Sequence, residues 1–115
     1  MLPSQQRLRR RSDIERLFKE GTKVHNPLIR MIYQQNQGSE SRVAVVVSKR
    51  VSAHAVDRNS VKRRIRSAIS QKIEDINIPH DILLIAQAQS KSATYAELDR
   101  AVDRLLIKIN KHGAK

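Results

Sequence analysis

Two short apolar runs, Arg42 to Ser48 (RVAVVVS) and Asp81 to Ala88 (DILLIAQA), are separated by a polar stretch long enough to hold one helix. Both runs have strand length and are rich in Val, Ile and Leu, so both read as buried strands. Strands with a helix between them pair in parallel through a crossover, and general rules make such crossovers right-handed. Arg42 to Ser48 is the stronger of the two and is expected to be a central strand covered on both faces.

The remaining elements fall around this unit. Ile14, Leu17 and Phe18 share one face of a short N-terminal helix, with Ser12 and Glu15 at capping-box spacing and Gly21 as its stop. Thr22 to His25 reads as an edge strand ahead of Pro27, Leu28 to Gln34 as a second strand, and QNQGSE as the turn that follows. A helix is expected from about Arg58 to Ile73, preceded by Asp57 at its N-terminus, and Asn77, Pro79 and Asp81 mark a turn. The last helix is the clearest. Thr94 and Glu97 have capping-box spacing, and Leu98, Ala101, Val102, Leu105, Leu106 and Ile109 recur on one face. The order helix, up to three strands, helix, strand, helix gives an α/β or α+β class, a small sheet covered by helices in one domain over residues 1–115, with residues 1–11 as a flexible basic arm.

Charge decides the partner class. Lys and Arg outnumber Asp and Glu by 23 to 11 in 115 residues, a formal net charge of +12 that favours association with polyanions. The excess is concentrated in RNSVKRRIR, residues 58–66, with five cations in nine positions. At about 100° per residue Arg58, Lys62 and Arg66 stack along one side of a helix with Asn59 and Arg63 beside them, while Val61, Ile65, Ala68 and Ile69 form the opposite stripe. Cations at this spacing repel by a few tenths of a kcal/mol per pair, so a polyanion that relieves the repulsion is a natural ligand. The plain alternative is a solvated basic face.

Other chemistries lack their residues. No apolar run approaches the roughly 20 residues of a membrane span, and MLPSQQRLRRRSD holds no apolar signal core. Neither a membrane nor a stable protein partner is implied. Cysteine is absent, which excludes disulfides and thiolate zinc sites and fits a cytoplasmic location. His25, His54, His80 and His112 are too widely spaced for short metal-ligand motifs, and no metal site is expected. No P-loop, dinucleotide fingerprint or nucleophile elbow occurs, and Asp13, Glu15, Glu20 and Asp57 are explained by helix starts and dipoles, so no catalytic set is assigned. Aromatic residues are limited to Phe18, Tyr33 and Tyr95, few for a protein that stacks bases.

The stretch VVVSKRVSAHAVDRNSVKRRIR resembles the signature of the bacterial ribonuclease P protein component, in which a strand ending in S-K-K leads through A-V-x-R-N-R into K-R-x-x-R. Arg7 to Gly21 (RLRRRSDIERLFKEG) is similar to the family's N-terminal pattern, so the resemblance covers most of the chain. It implies the noncatalytic subunit of a ribozyme: the catalytic RNA, with magnesium ions (Mg2+) bound mainly by the RNA, removes the 5′ leader of precursor tRNA, while the protein binds that RNA and the leader. It also implies an α+β class, the two-layer α/β sandwich of order αβββαβα of a ribosomal protein S5 domain 2-like fold, with a left-handed βαβ crossover against the general rule.

Carried over by position, Arg58, Asn59, Lys62, Arg63 and Arg66 would contact the catalytic RNA, supported by Lys49 and Arg50. The leader-binding cleft would use Ile14, Phe18 and Tyr33, with Arg9, Arg10 and Arg11 on its phosphates. Two positions depart from the family pattern. Ser60 stands where a third motif cation is usual, a loss that Arg63 or Arg64 could cover, and Ile14 stands where Phe is common. Competing readings are a ribosomal or other structural RNA-binding protein of related fold, and a protein-only nuclease built on Asp57.

Overall fold

The computed structural model describes residues 4–113, with three helices, α1 (Arg11–Glu20), α2 (Ala55–Ser70) and α3 (Tyr95–Gly113), and four strands, β1 (Thr22–His25), β2 (Ile29–Gln35), β3 (Arg42–Val46) and β4 (His80–Ala86). Short 3₁₀ turns occupy Ser4–Gln6, Ile73–Asp75 and Ala88–Ser92.

The strands form one sheet in the order β1-β2-β4-β3. β3 and β4 are parallel, as two apolar runs flanking a helix require, and β2 pairs antiparallel with both β1 and β4. The expected place of RVAVVVS is corrected. β3 is an edge strand, and DILLIAQA supplies the centre beside β2. The apolar residues on both faces of β3 reflect layers above and below it, which says nothing about neighbours at its sides. Its outer edge is covered by the N-terminal segment: Arg7 bridges Val43, and the Leu8 amide donates to the Val43 carbonyl at 2.9 Å. Within the stretch expected to be a basic arm, that contact buries Leu8, while Arg9, Arg10 and Arg11 are exposed. Residues 1–3 lie outside the described residues.

Alternation along the strands sends residues to opposite faces. Ile29, Met31, Tyr33, Val43, Val45, Ile82 and Leu84 face the large core under α2 and α3. Ile32 and Leu83 face the other way and, with Leu17 and Leu8, make a small core under α1, against which Ile14, Ala44 and Ile85 are half-buried. The sandwich is thus the sheet and the α2–α3 pair. α1 rests on the opposite face and covers only part of it.

Helix ends follow local chemistry with two exceptions. α3 starts in the expected reciprocal cap, the Thr94 amide donating to Glu97 Oε1 at 2.8 Å and the Glu97 amide to Thr94 Oγ1 at 3.2 Å. The bond from the Thr94 amide, and after it the Thr94 hydroxyl, hold the Glu97 carboxyl below its ordinary pKa. α2 begins a turn before Arg58. Ser52 Oγ accepts the His54 amide at 3.1 Å and donates to Asp57 at 3.0 Å, which places Asp57 inside the first turn. Ser12 does not cap α1, since the helix begins at Arg11 after an extended Arg10 and no side chain caps it. Gly21 ends α1 by lack of bulk, not by its backbone angle: a Cβ there would lie 2.6 Å from Ile32 Cγ2 and 2.7 Å from the Leu17 carbonyl oxygen.

Candidate nucleic-acid interface

The apolar stripe of α2, Val61, Ile65, Ala68 and Ile69, is fully buried against the sheet and α3. That fixes the helix rotation and presents the basic side outward along β3. Between this side and the N-terminal segment lies a cleft of about 900 Å³, floored by Val43 to Val46 and walled by Arg7, Leu8, Arg9 and Ile14 on one side and Asn59, Lys62, Arg63, Arg66 and Ser67 on the other. Six of the residues singled out from sequence meet there: Arg9, Ile14, Asn59, Lys62, Arg63 and Arg66. Five cations, Arg7 among them, and an amide around an apolar floor can neutralise phosphates while sugars and bases rest on Ala44 and Val46.

The other expected residues sit elsewhere. Arg58 donates from Nη1 to the Ser52 and Ala53 carbonyls, both at 3.0 Å, and so holds the loop that enters α2. Lys49 and Arg50 are exposed in the turn after β3, beyond the open end of the cleft floor. Arg10 and Arg11 are exposed, Arg11 beside Glu15 at 3.6 Å. Phe18, one turn beyond Ile14 on α1, is 49% exposed and presents an open aromatic face, but it is not among the residues that line the cleft.

Tyr33 is corrected. It is 4% exposed and points into the α2–α3 core, its ring 5.9 Å from that of His80, and burial raises its phenol pKa. The strand residue turned toward α1 is its neighbour Ile32. Arg64 does not stand in for the cation missing at Ser60 either. Its Nη1 donates to the Ala93 carbonyl at 2.8 Å, on the side of α2 toward the start of α3.

Asp13, an ordinary first-turn acid by its place in the sequence, belongs to a polar cluster that joins α1 to the sheet. Arg42 grips Asp81 through two bonds of 2.8 and 2.7 Å and reaches Asp13 on α1 at 3.3 Å. Asp81, with its carboxylate hydrogen-bonded to the guanidinium, is the first cause of the raised Arg42 pKa. Nothing local in the sequence marks this contact, since its partners are 29 and 39 positions apart. Leu8 did carry a signal, as the one apolar residue in QRLRRR. Among the described residues no group of three or more His, Asp or Glu side chains could hold a metal ion, and no helix is long and apolar enough to cross a membrane.

The family model for ribonuclease P matches residues 2–110. The chain belongs to the ribonuclease P protein family. Its relatives include the ribonuclease P protein components of Clostridioides difficile, 33% identical over 100 residues that cover 86% of this chain and 87% of that one, and of Beutenbergia cavernae, 38% identical over 105 residues covering 90% and 87%. The solved ribonuclease P protein of Staphylococcus aureus superposes with a TM-score of 0.79 at 27% identity, covering 92% of this chain and 95% of that one. The one from Thermotoga maritima gives 0.81 at 26%, covering 90% and 96%. The α+β fold is therefore the family's, and the chain is a protein subunit of ribonuclease P, an RNA-containing endoribonuclease of tRNA processing.

Proposed function

We propose that the cleft is where this subunit holds both of its RNAs. Asn59, Lys62, Arg63 and Arg66 meet phosphates of the catalytic RNA along the outer side of α2, and Lys49 and Arg50 extend that contact. The 5′ leader of precursor tRNA passes the opposite wall, over Ile14 and the open face of Phe18, with Arg9, Arg10 and Arg11 beside its backbone. Arg58 serves the interface indirectly by fixing the loop that delivers Lys49 and Arg50 to it.

The observation that carries this reading is the convergence of Arg9, Ile14, Asn59, Lys62, Arg63 and Arg66 on one cleft from three parts of the chain. Bond cleavage belongs to the RNA subunit and its Mg2+, since backbone-gripping cations and one aromatic face supply binding and no general base. The subunit acts in the cytoplasm and needs no further protein partner. Reconstitution with a bacterial ribonuclease P RNA at low magnesium tests it. The chain is expected to stimulate leader removal, and stimulation that survives neutralising Lys62, Arg63 and Arg66 together would refute the docking assignment.

A further inference from the structure

α1 has a task that its own contacts barely support. It is 10 residues long, a length at which an isolated helix is marginal, and its fully buried apolar anchor is Leu17 alone, seated on Leu8, Ile32 and Leu83. Yet Ile14 and Phe18, which form the leader wall in the function proposed above, both ride on it.

The missing constraint is ionic. Asp13 is 8% exposed at the end of α1 that faces β3, and Asp81 is 5% exposed at the start of β4. Arg42 lies between them, bound through Nε and Nη2 to Asp81 and through Nη1 to Asp13, while Asn36 donates to Asp81 at 3.0 Å and Arg16 approaches Asp13 at 3.4 Å. A guanidinium that uses one edge on the sheet and its remaining nitrogen on the helix sets their separation, because its donors are planar and rigid.

We propose that Asp13 and Arg42 are positioning residues for leader recognition, the Arg42 clamp setting the height of α1, and so of Ile14 and Phe18, above the sheet. The inference rests on the leader path proposed above. A misplacement on the order of 1 Å in a positioning element can cost up to about a hundredfold, and loss of a partly redundant clamp is expected to cost about tenfold.

The sign of the effect separates positioning from charge. Asp13 is an acid near a cleft for a polyanion, so removing its charge should strengthen RNA binding on electrostatic grounds alone. In the complex reconstituted with catalytic RNA, Asp13→Asn is expected to weaken binding of precursor tRNA with a full leader about tenfold relative to precursor trimmed to one leader nucleotide, while affinity for the catalytic RNA is not weakened. Asp13→Glu keeps the charge and lengthens the arm, so it too should lose leader affinity and serves if the Asn variant does not fold. Unchanged or tighter leader binding in the folded variants, or equal losses for both precursors, would overturn the inference. Phe18→Ala in the same assay distinguishes the two levels. If it shows a leader-specific loss and the Asp13 variants do not, only the clamp fails; if it shows none, the leader path fails and the clamp's role with it.

Discussion

Replacing Lys62 and Arg66 together by Gln tests the cationic wall quantitatively. The two lie one turn apart on α2, both line the cleft, and no carboxylate among the described residues forms an ion pair with either. Their charges are therefore available to phosphates, and each phosphate neutralised on duplex RNA or DNA adds roughly 0.9 to the slope of log K against log salt. Losing two contacts should flatten the slope by about 1.8. Over a fourfold rise in salt, the affinity gap between parent and variant should then shrink about twelvefold. The assay is a titration of catalytic RNA by filter binding or fluorescence across that salt range. Arg64→Gln is the control, since Arg64 donates to the Ala93 carbonyl and faces away from the cleft, and its slope should match the parent. Parallel lines for parent and double variant would refute the assignment of these side chains to phosphates.

Four further substitutions have expected outcomes. Phe18→Ala should leave the melting temperature nearly unchanged and weaken leader binding by about 1–3 kcal/mol, the range for one base stacked on an aromatic ring, whereas Tyr33→Ala should destabilise the fold by about 3–5 kcal/mol, as truncation of a buried aromatic does, seen in chemical denaturation. Gly21→Ala should cost about 1–3 kcal/mol by overpacking against Ile32, whose Cγ2 would be 2.6 Å from the new carbon. Because its cap lowers the Glu97 pKa in the folded state, the stability it adds is present above the ordinary glutamate range and is lost as pH falls through the lowered value. The stability difference between parent and Glu97→Gln should accordingly be largest near neutral pH and vanish in acid, by denaturation at several pH values.

What could be read from the chain was what local pattern determines. The reciprocal cap at Thr94 and Glu97, the parallel pairing of the two apolar runs and the burial of Val61, Ile65, Ala68 and Ile69 each follow from spacing within one or two elements. The errors came from long-range contacts and parity. Side chains alternate along a strand, so a shift of one residue moves an aromatic to the other face, and Tyr33 lies in the core while Ile32 meets α1. Apolar residues on both faces of β3 could not show that its side is an edge, because Leu8 covers that edge from 35 positions away. Asp13 resembled an ordinary first-turn acid until Arg42 and Asp81 came beside it. Of the cationic motif, the rotation of α2 placed Lys62, Arg63 and Arg66 on the cleft, but the carbonyls that hold Arg58 belong to a loop whose path the sequence does not specify.

The proposed function divides the cleft, with catalytic RNA on the α2 wall and leader on the α1 wall. Site-specific crosslinking from a photoreactive side chain at position 18 or at position 66, in the assembled complex of protein, catalytic RNA and precursor tRNA, reads it directly. Leader crosslinks are expected from position 18 and catalytic-RNA crosslinks from position 66; both positions marking the same RNA, or the reverse assignment, would refute the division.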